Sequence, residues 1–178
     1  MKIVIFGDSH NNIANIKHVM GFAKKIKVGA VIHTGDWSNI KSLDTVLNYN
    51  IPLYTVLGNA DIDPNLSRKL KIYSKQFNED FLKIEIDNLK IGICHLIENC
   101  KLEINNLDIV FCGHYHSQKE WEVEGIKIIR PGALENKIEF AIFDTKTKMV
   151  ELINENVYKS EILSTKYETN LNDRNTKS

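Results

Sequence analysis

Asp8, His10, Asp36, Asn59, His95 and His116, together with His114, each stand where a strand-like apolar run gives way to polar sequence. KIVIFGDSH ends in Asp8 and His10, AVIHTGD in Asp36, and LYTVLGNAD in Asn59 and Asp61. IGICH ends in His95, and DIVFCGHYH in His114 and His116. In an open α/β sheet, ligands bind in the crevice outside the carboxyl ends of the strands. One Asp or His there would carry little weight. Five consecutive exits furnished with oxygen and imidazole donors point to a site for more than one metal ion.

Taken singly, each motif has an ordinary explanation. Asp8 and His10 are two residues apart, so in extended chain both can reach one ion. A carboxylate beside an imidazole suits Mn²⁺, Fe²⁺, Zn²⁺, Ni²⁺ or Co²⁺ better than Ca²⁺. Alone, however, Asp8 reads as a cap for a helix starting near Asn12. Asp36 has two oxygens and can bridge two cations, as the centre of a two-metal site requires; alone it too is a helix cap. Asn59 offers a neutral amide oxygen, yet a Gly58-Asn59 turn is common. Asp61 is read first as a helix cap and second as a support for the ligands. A lone His95 at a strand end is unremarkable, whereas His114 and His116 behind the permissive Gly113 are harder to dismiss. His33, still in strand register, is read as core or as a support for ligands, and His18 as a solvated helix residue. The weight lies in their joint occurrence in chain order.

Strands and helices must position these groups. Residues 2–7 are a β-branched run. Residues 12–27 place Ile13, Ile16, Val19, Met20, Ala23 and Ile26 on one helical face and Lys17, Lys24 and Lys25 on the other. Strand 29–33, helix 39–49 and strand 52–57 follow, the signature of a parallel sheet wound by right-handed crossovers. The second half turns to hairpins. FLKIEI and KIGICH flank Asp87-Asn88, EWEVE and IKIIR flank Gly125, and EFAIFD and MVELIN flank TKTK. These read as antiparallel pairs, so the expected fold is two sheets packed face to face with helices outside. Residues 60–79 and 96–106 read as loops. The expected domain covers residues 1–153. The stretch 154–178 is polar; 157–163 reads as a short element at most, and disorder is expected from about Thr165.

Composition narrows the function classes. A chain of 178 residues, 43% of them hydrophobic, supports one buried core. Lys+Arg and Asp+Glu are both 23, so no net field draws the chain to long nucleic acid or an anionic membrane. Positive charge for a phosphate substrate would have to come from bound metal. No apolar run approaches the ~20 residues that span a bilayer. Cys94, Cys100 and Cys112 are odd in number and lack CxxC spacing, which points to a reduced, cytoplasmic chain. Trp121 on a hairpin is a candidate dimer contact, and a homo-oligomer is left open.

The series Asp8-x-His10, Gly35-Asp36, Gly58-Asn59-x-Asp61, His95 and Gly113-His114-x-His116 resembles the calcineurin-like metallophosphoesterase superfamily, in its small phosphodiesterase branch. The resemblance covers roughly residues 1–153 and implies a four-layer α/β sandwich of two mixed sheets. It implies two divalent ions, Mn²⁺ first with Ni²⁺, Fe²⁺, Zn²⁺ and Mg²⁺ as alternatives. Asp8, His10, Asp36 and His116 would hold one ion; Asp36, Asn59, His95 and His114 would hold the other, with Asp36 bridging. A hydroxide between the ions would attack phosphorus in line. Asp36, Asn59 and His95 are the residues expected at the chemistry, and Asn59 would also orient the phosphate.

Three departures stand out. Ala60 occupies the place of a leaving-group His, which favours diesters with good leaving groups or a different proton donor. Leu96-Ile97 replaces a Gly-His, and Asn11-Asn12 follows His10 where Gly is common. Arg130, in Arg130-Pro131-Gly132-Ala133, is read first as a strand-end residue pairing with a surface carboxylate and second as a candidate phosphate-binding guanidinium. The expected function is a metal-dependent phosphodiesterase acting on a small phosphate ester, with a nucleotide among the candidates. The alternative is a non-catalytic scaffold resembling the retromer scaffold subunit, a reading weakened because all seven donors are in place.

Overall fold

The computed structural model describes residues 1–99 and 106–155. Among the described residues, eleven strands form two sheets, accompanied by three α-helices. In the first half, β1 (Lys2–Phe6), α1 (Ile13–Lys25), β2 (Ala30–His33), α2 (Ile40–Leu47) and β3 (Leu53–Thr55) follow the expected alternation. Then come α3 (Pro64–Tyr73), β4 (Gln76–Phe77), β5 (Phe81–Ile86), β6 (Leu89–Cys94) and a 3₁₀ turn at Ile97–Asn99. The chain continues through β7 (Ile109–Phe111), β8 (Gln118–Val123), β9 (Ile126–Pro131), β10 (Phe140–Asp144) and β11 (Met149–Ile153).

One sheet runs β11-β10-β1-β2-β3-β4 and the other β5-β6-β7-β9-β8. Strand β1 shows why they stack. Val4 and Phe6 join α1 and α2 in one apolar cluster, which includes Ile16, Val19, Met20, Leu43 and Val46. Ile3 and Ile5, pointing the other way, join Ile91, Ile93 and Phe111 of the second sheet. A strand covered on both faces reads as a continuous apolar run rather than an alternating one. Each Ile or Phe buried here stabilises the fold by roughly 1.5–3 kcal/mol.

The expected hairpins β5–β6, β8–β9 and β10–β11 are antiparallel. The second half is nevertheless not purely antiparallel, because β7 lies parallel to both β6 and β9. Moreover, β10 returns to the first sheet and pairs with β1. Strand order depends on contacts distant in sequence, which hairpin turns do not encode.

Residues 60–79, read as loop, contain α3. Asp63 caps it by accepting from Asn65 N at 2.8 Å, and Pro64 takes the first helical position, where its missing N–H costs nothing. Leu66 and Leu70, four apart, are its buried stripe. The apolar pattern is blurred because Ile62, Ile72 and Tyr73 are exposed.

The topology aims five parallel strands at one edge. Phe6 pairs with His33, His33 with Thr55, and Ile93 with Phe111. The carboxyl ends of β1, β2 and β3 therefore lie level, as do those of β6 and β7. These are the five exits carrying the donor residues.

Candidate metal centre

Backbone hydrogen bonds lace the exits together. Asp8 N donates to Gly35 O at 3.0 Å, and Ser9 N and His10 N donate to Asp36 O at 3.0 and 3.1 Å. Gly113 N donates to His95 O at 2.9 Å. The turns are tight enough that Asp8 (φ 46°), His10 (39°), Asp36 (60°), His114 (77°) and His116 (51°) all adopt the left-handed region. That conformation costs of order 1 kcal/mol per residue, with Asp, Asn and His tolerating it best. Such a concentration of unfavourable backbone at one edge marks a functional site.

Two groups of side chains meet there. Asp8, His10, Asp36 and His116 bring ligand-type atoms within 4.8 Å of one another. His116 Nε2 lies 3.3 Å from Asp8 Oδ1 and 3.3 Å from His10 Nε2, which is itself 3.3 Å from Asp36 Oδ2. In the second group, Asn59 Oδ1 is 3.0 Å from His95 Nε2 and 2.9 Å from His114 Nδ1. Asp36 Oδ2 lies 3.5 Å from His95 Nε2, so one carboxylate oxygen faces both groups. All seven expected donors are thus brought together. Atoms bound ~2.1 Å from one ion at right angles lie about 3.0 Å apart, which matches these separations.

The proton positions explain what the arrangement can hold. His95 Nδ1 is 2.9 Å from Thr34 O, a carbonyl that can only accept, so the ring proton is on Nδ1. Nε2 then turns a lone pair toward Asn59 Oδ1 and Asp36 Oδ2. His116 Nδ1 faces the acceptor Glu135 Oε2 at 3.3 Å, which leaves its Nε2 lone pair pointing inward too, and His10 Nδ1 faces Ser38 Oγ at 3.4 Å, which turns its Nε2 toward the centre. Burial pushes the pKa of His95 down, against an opposing pull from Asp36, and so favours the neutral ring that ligates metals. Acceptors facing acceptors at a buried edge are relieved by a cation, and this donor set fits borderline divalent ions.

The carboxylates are held as well as placed. Asp8 is fully buried; His114 N donates to its Oδ1 at 3.0 Å and its Oδ2 at 3.2 Å. Burial first, and the charge of Asp36 second, push its pKa up to about 8. Asp36 Oδ1 accepts from Ala60 N at 2.8 Å, leaving Oδ2 for the centre.

Asp61 corrects the cap reading. Its Oδ2 accepts from Asp36 N and Gly58 N, each at 2.9 Å, and its Oδ1 from Ser38 N at 2.8 Å. It clamps the β2 and β3 exits together, while Asp63 caps α3. Nor do Asp8 and Asp36 cap helices, since Asn12 and Asn39 take those positions. His33 is a fully buried support: its ring stacks on Trp37 at 3.5 Å, and its Nδ1 accepts from Gly35 N at 3.2 Å. Its Nε2 proton therefore goes to Ser9 Oγ at 3.2 Å, which donates onward to Asp36 O at 3.2 Å. His18 is exposed on α1. Trp121, a candidate dimer contact, is half-buried against the apolar cluster of Cys94, Val110, Cys112 and Ile128. Arg130 binds Ser117 rather than a carboxylate, with Nε donating to Ser117 O at 2.7 Å and Nη2 to Ser117 Oγ at 2.9 Å.

Glu135, Thr34 and Ser38 escaped the sequence reading. Glu135 reaches His116 because Asn12 Nδ2 donates to Glu135 O at 2.7 Å and Asn15 Nδ2 to Leu134 O at 2.8 Å. The only local signal was Asn12, which sits where the resemblance leads one to expect Gly nearby. A cavity of about 410 Å³ opens beside the second group, walled by Asn59, His95 and His114 with Leu57, Leu96 and Asp80.

Cys100 and residues 156–178, including the expected short element and disorder, lie outside the described residues. No described helix is long and apolar enough to cross a membrane.

Residues 1–148 match the Calcineurin-like phosphoesterase superfamily domain. A phosphodiesterase of Methanocaldococcus jannaschii is 33% identical over 141 residues, covering 74% of this chain and 83% of its own. The solved structure of an archaeal phosphodiesterase superposes with a TM-score of 0.76 at 29% identity, over 86% of this chain and 99% of that one. Vps29 from Entamoeba histolytica in complex with Zn²⁺ shares the fold, with a TM-score of 0.60 at 17% identity over 86% and 99% of the two chains. Motif order, topology and sequence agree, and the chain belongs to the calcineurin-like phosphoesterase superfamily.

Proposed function

We infer that this chain is a metal-dependent phosphodiesterase acting on a small phosphate ester. The observation that carries the reading is the inward convergence of ligand-type atoms from Asp8, His10, Asp36, Asn59, His95, His114 and His116, with His95 and His116 turning their other ring nitrogen to an acceptor. In this reading one divalent ion is held by Asp8, His10, Asp36 and His116, and a second by Asp36, Asn59, His95 and His114. The first choice is Mn²⁺, with Ni²⁺, Fe²⁺, Zn²⁺ and Mg²⁺ also compatible with mixed N/O donors. Bound ions of this kind supply Lewis acidity toward phosphate oxygens and activate water at neutral pH.

The chain's own residues do the rest. Asp36 presents one oxygen to both groups, and its other oxygen is tied to Ala60 N. Asn59 brings an uncharged donor, so the second group adds no further negative charge against an anionic substrate. Its amide also lines the cavity through which a phosphate would enter. Ala60 has no side chain to protonate a leaving group, which favours diesters with acidic leaving groups. A cytoplasmic, soluble protein is part of the same reading.

The test compares bis(p-nitrophenyl) phosphate with p-nitrophenyl phosphate after chelation and after adding back each divalent metal. Metal-restored diester turnover, lost in Asp36→Ala, is expected. A strong preference for the monoester would overturn the substrate class. A folded protein inert with every metal would turn the assignment toward a binding scaffold.

A further inference from the structure

The loop Gly113–Ser117 separates two cavities. His114 walls the one described above, while Tyr115 and Ser117 wall a second of about 490 Å³, completed by Ile97, Glu98, Lys119, Trp121, Val123 and Arg130. Lys119 and Arg130 are direct cross-strand partners in the β8–β9 ladder, so both cations emerge on the same face. Like charges directly opposite in an antiparallel pair destabilise it. Among the described residues no carboxylate forms an ion pair with either one. Glu98, the acid in the cavity wall, instead accepts the Tyr115 hydroxyl at 3.1 Å.

The two cations are also held in place. The Arg130 guanidinium lies 4.9 Å from the Tyr115 ring centre and 5.8 Å from that of Trp121, and Lys119 Nζ lies 5.2 Å from the Trp121 ring. Arg130 spends two N–H groups on Ser117, one on its carbonyl and one on its hydroxyl. A guanidinium has five N–H donors in a rigid fork, so three remain for a ligand. Its charge is also felt at Asp8, where it opposes the effect of burial. The pair therefore faces a space next to the metal centre.

We propose that this groove is an anion subsite, in which Lys119 and Arg130 bind a second, non-scissile phosphate of the substrate. The proposal rests on the phosphodiesterase reading and narrows it to diesters bearing a further phosphate, of which a short nucleotide is the natural chemical class. The scissile phosphate takes the Asn59–His114 side, and the chain of the substrate crosses the His114–Tyr115 loop. The aromatic rims of Tyr115, which is 49% exposed, and Trp121 offer apolar faces to the sugar or base between them.

Two measurements separate this proposal from its parent. The dinucleotide pTpT, with a 5′-phosphate, is compared with TpT in the metal-loaded protein. KM for pTpT is expected to be at least ~10-fold lower, and the ratio to fall to about one in Arg130→Ala and in Lys119→Ala, with Arg130→Lys restoring part of it. Independently, the chelated protein is titrated with thymidine 3′,5′-bisphosphate while indole fluorescence is followed. Trp37 is fully buried and Trp121 lines the groove, so a saturable change that is lost in Trp121→Phe reports on the groove. Thymidine itself should give none, and Lys119→Ala should weaken the response. Equal KM values with normal turnover of both dinucleotides, or bisphosphate binding unaltered in both variants, would overturn the subsite and leave the phosphodiesterase standing. Absence of all diester turnover would remove the parent reading, while the fluorescence titration would still decide whether the groove binds phosphate.

Discussion

The backbone carbonyl of Thr34 accepts the Nδ1 proton of His95 at 2.9 Å. Because the acceptor is main chain, no side-chain substitution at position 34 deletes it, and the tautomer of His95 is built into the fold. His95→Gln keeps an amide able to reach the centre but not the imidazole basicity. It is expected to lower kcat by at least ~10²-fold, about 2.7 kcal/mol, with KM little changed. Steady-state kinetics at saturating metal checks this; an unaltered kcat would remove His95 from the chemistry.

Asp36 faces both groups through one oxygen, so its loss should uncouple them. Asp36→Ala is expected to cut metal-dependent turnover by at least ~10³-fold, about 4 kcal/mol. Bound metal, measured by elemental analysis after dialysis, should fall below that of the parent protein. Full stoichiometry in the variant would contradict the bridging role.

Glu135 contacts the outward nitrogen of His116, so any effect on metal binding would pass through that ring. Removing a carboxylate behind a metal-binding imidazole typically weakens metal affinity ~10–100-fold. Glu135→Ala should therefore show the full loss in competition with a fluorescent chelator, and Glu135→Gln, which retains an acceptor, a smaller one. Equal affinities in all three proteins would show that the 3.3 Å contact contributes nothing.

The ion-free protein carries a pH signature. Burial and Asp36 raise the Asp8 carboxyl from 3.8 to about 8 in the folded state. A raised carboxyl contributes stability that is complete below the unfolded pKa and is lost as pH climbs toward the folded one. In chelator, Tm should accordingly decline between about pH 4 and pH 8, and Asp8→Asn should flatten this part of the profile. A wild-type profile that rises across the window and matches that of Asp8→Asn would refute the assignment.

Two glycines have opposite expectations. A Cβ at Gly58 would collide with Asp36, both its backbone nitrogen and its carboxylate, so Gly58→Ala should disrupt the centre and lower metal affinity. Gly21, within α1, has open space around it, and Gly21→Ala should stabilise the chain by ~0.4–1 kcal/mol. Thermal melts and metal titration on the pair test both; a neutral Gly58→Ala would mean the β2 and β3 exits can separate freely.

What was legible in the sequence and what was not follow the range of the interactions. β1, β2 and β3 were readable as short apolar runs between turns, and the donors because each stood at the end of one. Their convergence was inferable only from motif order. Asp61 was misread because its three backbone donors come from Gly58, Asp36 and Ser38, and two of these lie far along the chain. Glu135 had no mark in its own stretch of sequence beyond the distant hint of Asn12, since its position depends on Asn12 and Asn15 gripping a turn more than a hundred residues away. The return of β10 to β1 and the parallel placement of β7 were hidden for the same reason. Helix α3 was readable in principle from Asp63-Pro64 and the Leu66–Leu70 spacing, but exposed Ile62, Ile72 and Tyr73 obscured its apolar face.

The donor residues are drawn from two different sheets: Asp8, His10, Asp36 and Asn59 follow strands of the first, and His95, His114 and His116 follow strands of the second. An ion held between them would work as a rivet through both layers, one that unfolding must draw out. At a free concentration a hundred times its dissociation constant, such an ion adds about 2.7 kcal/mol, which for a chain of this size raises Tm by roughly 5–11 °C. The lifetime of this protein would then track the free metal around it, so that starvation for the ion removes the catalyst itself as well as its activity.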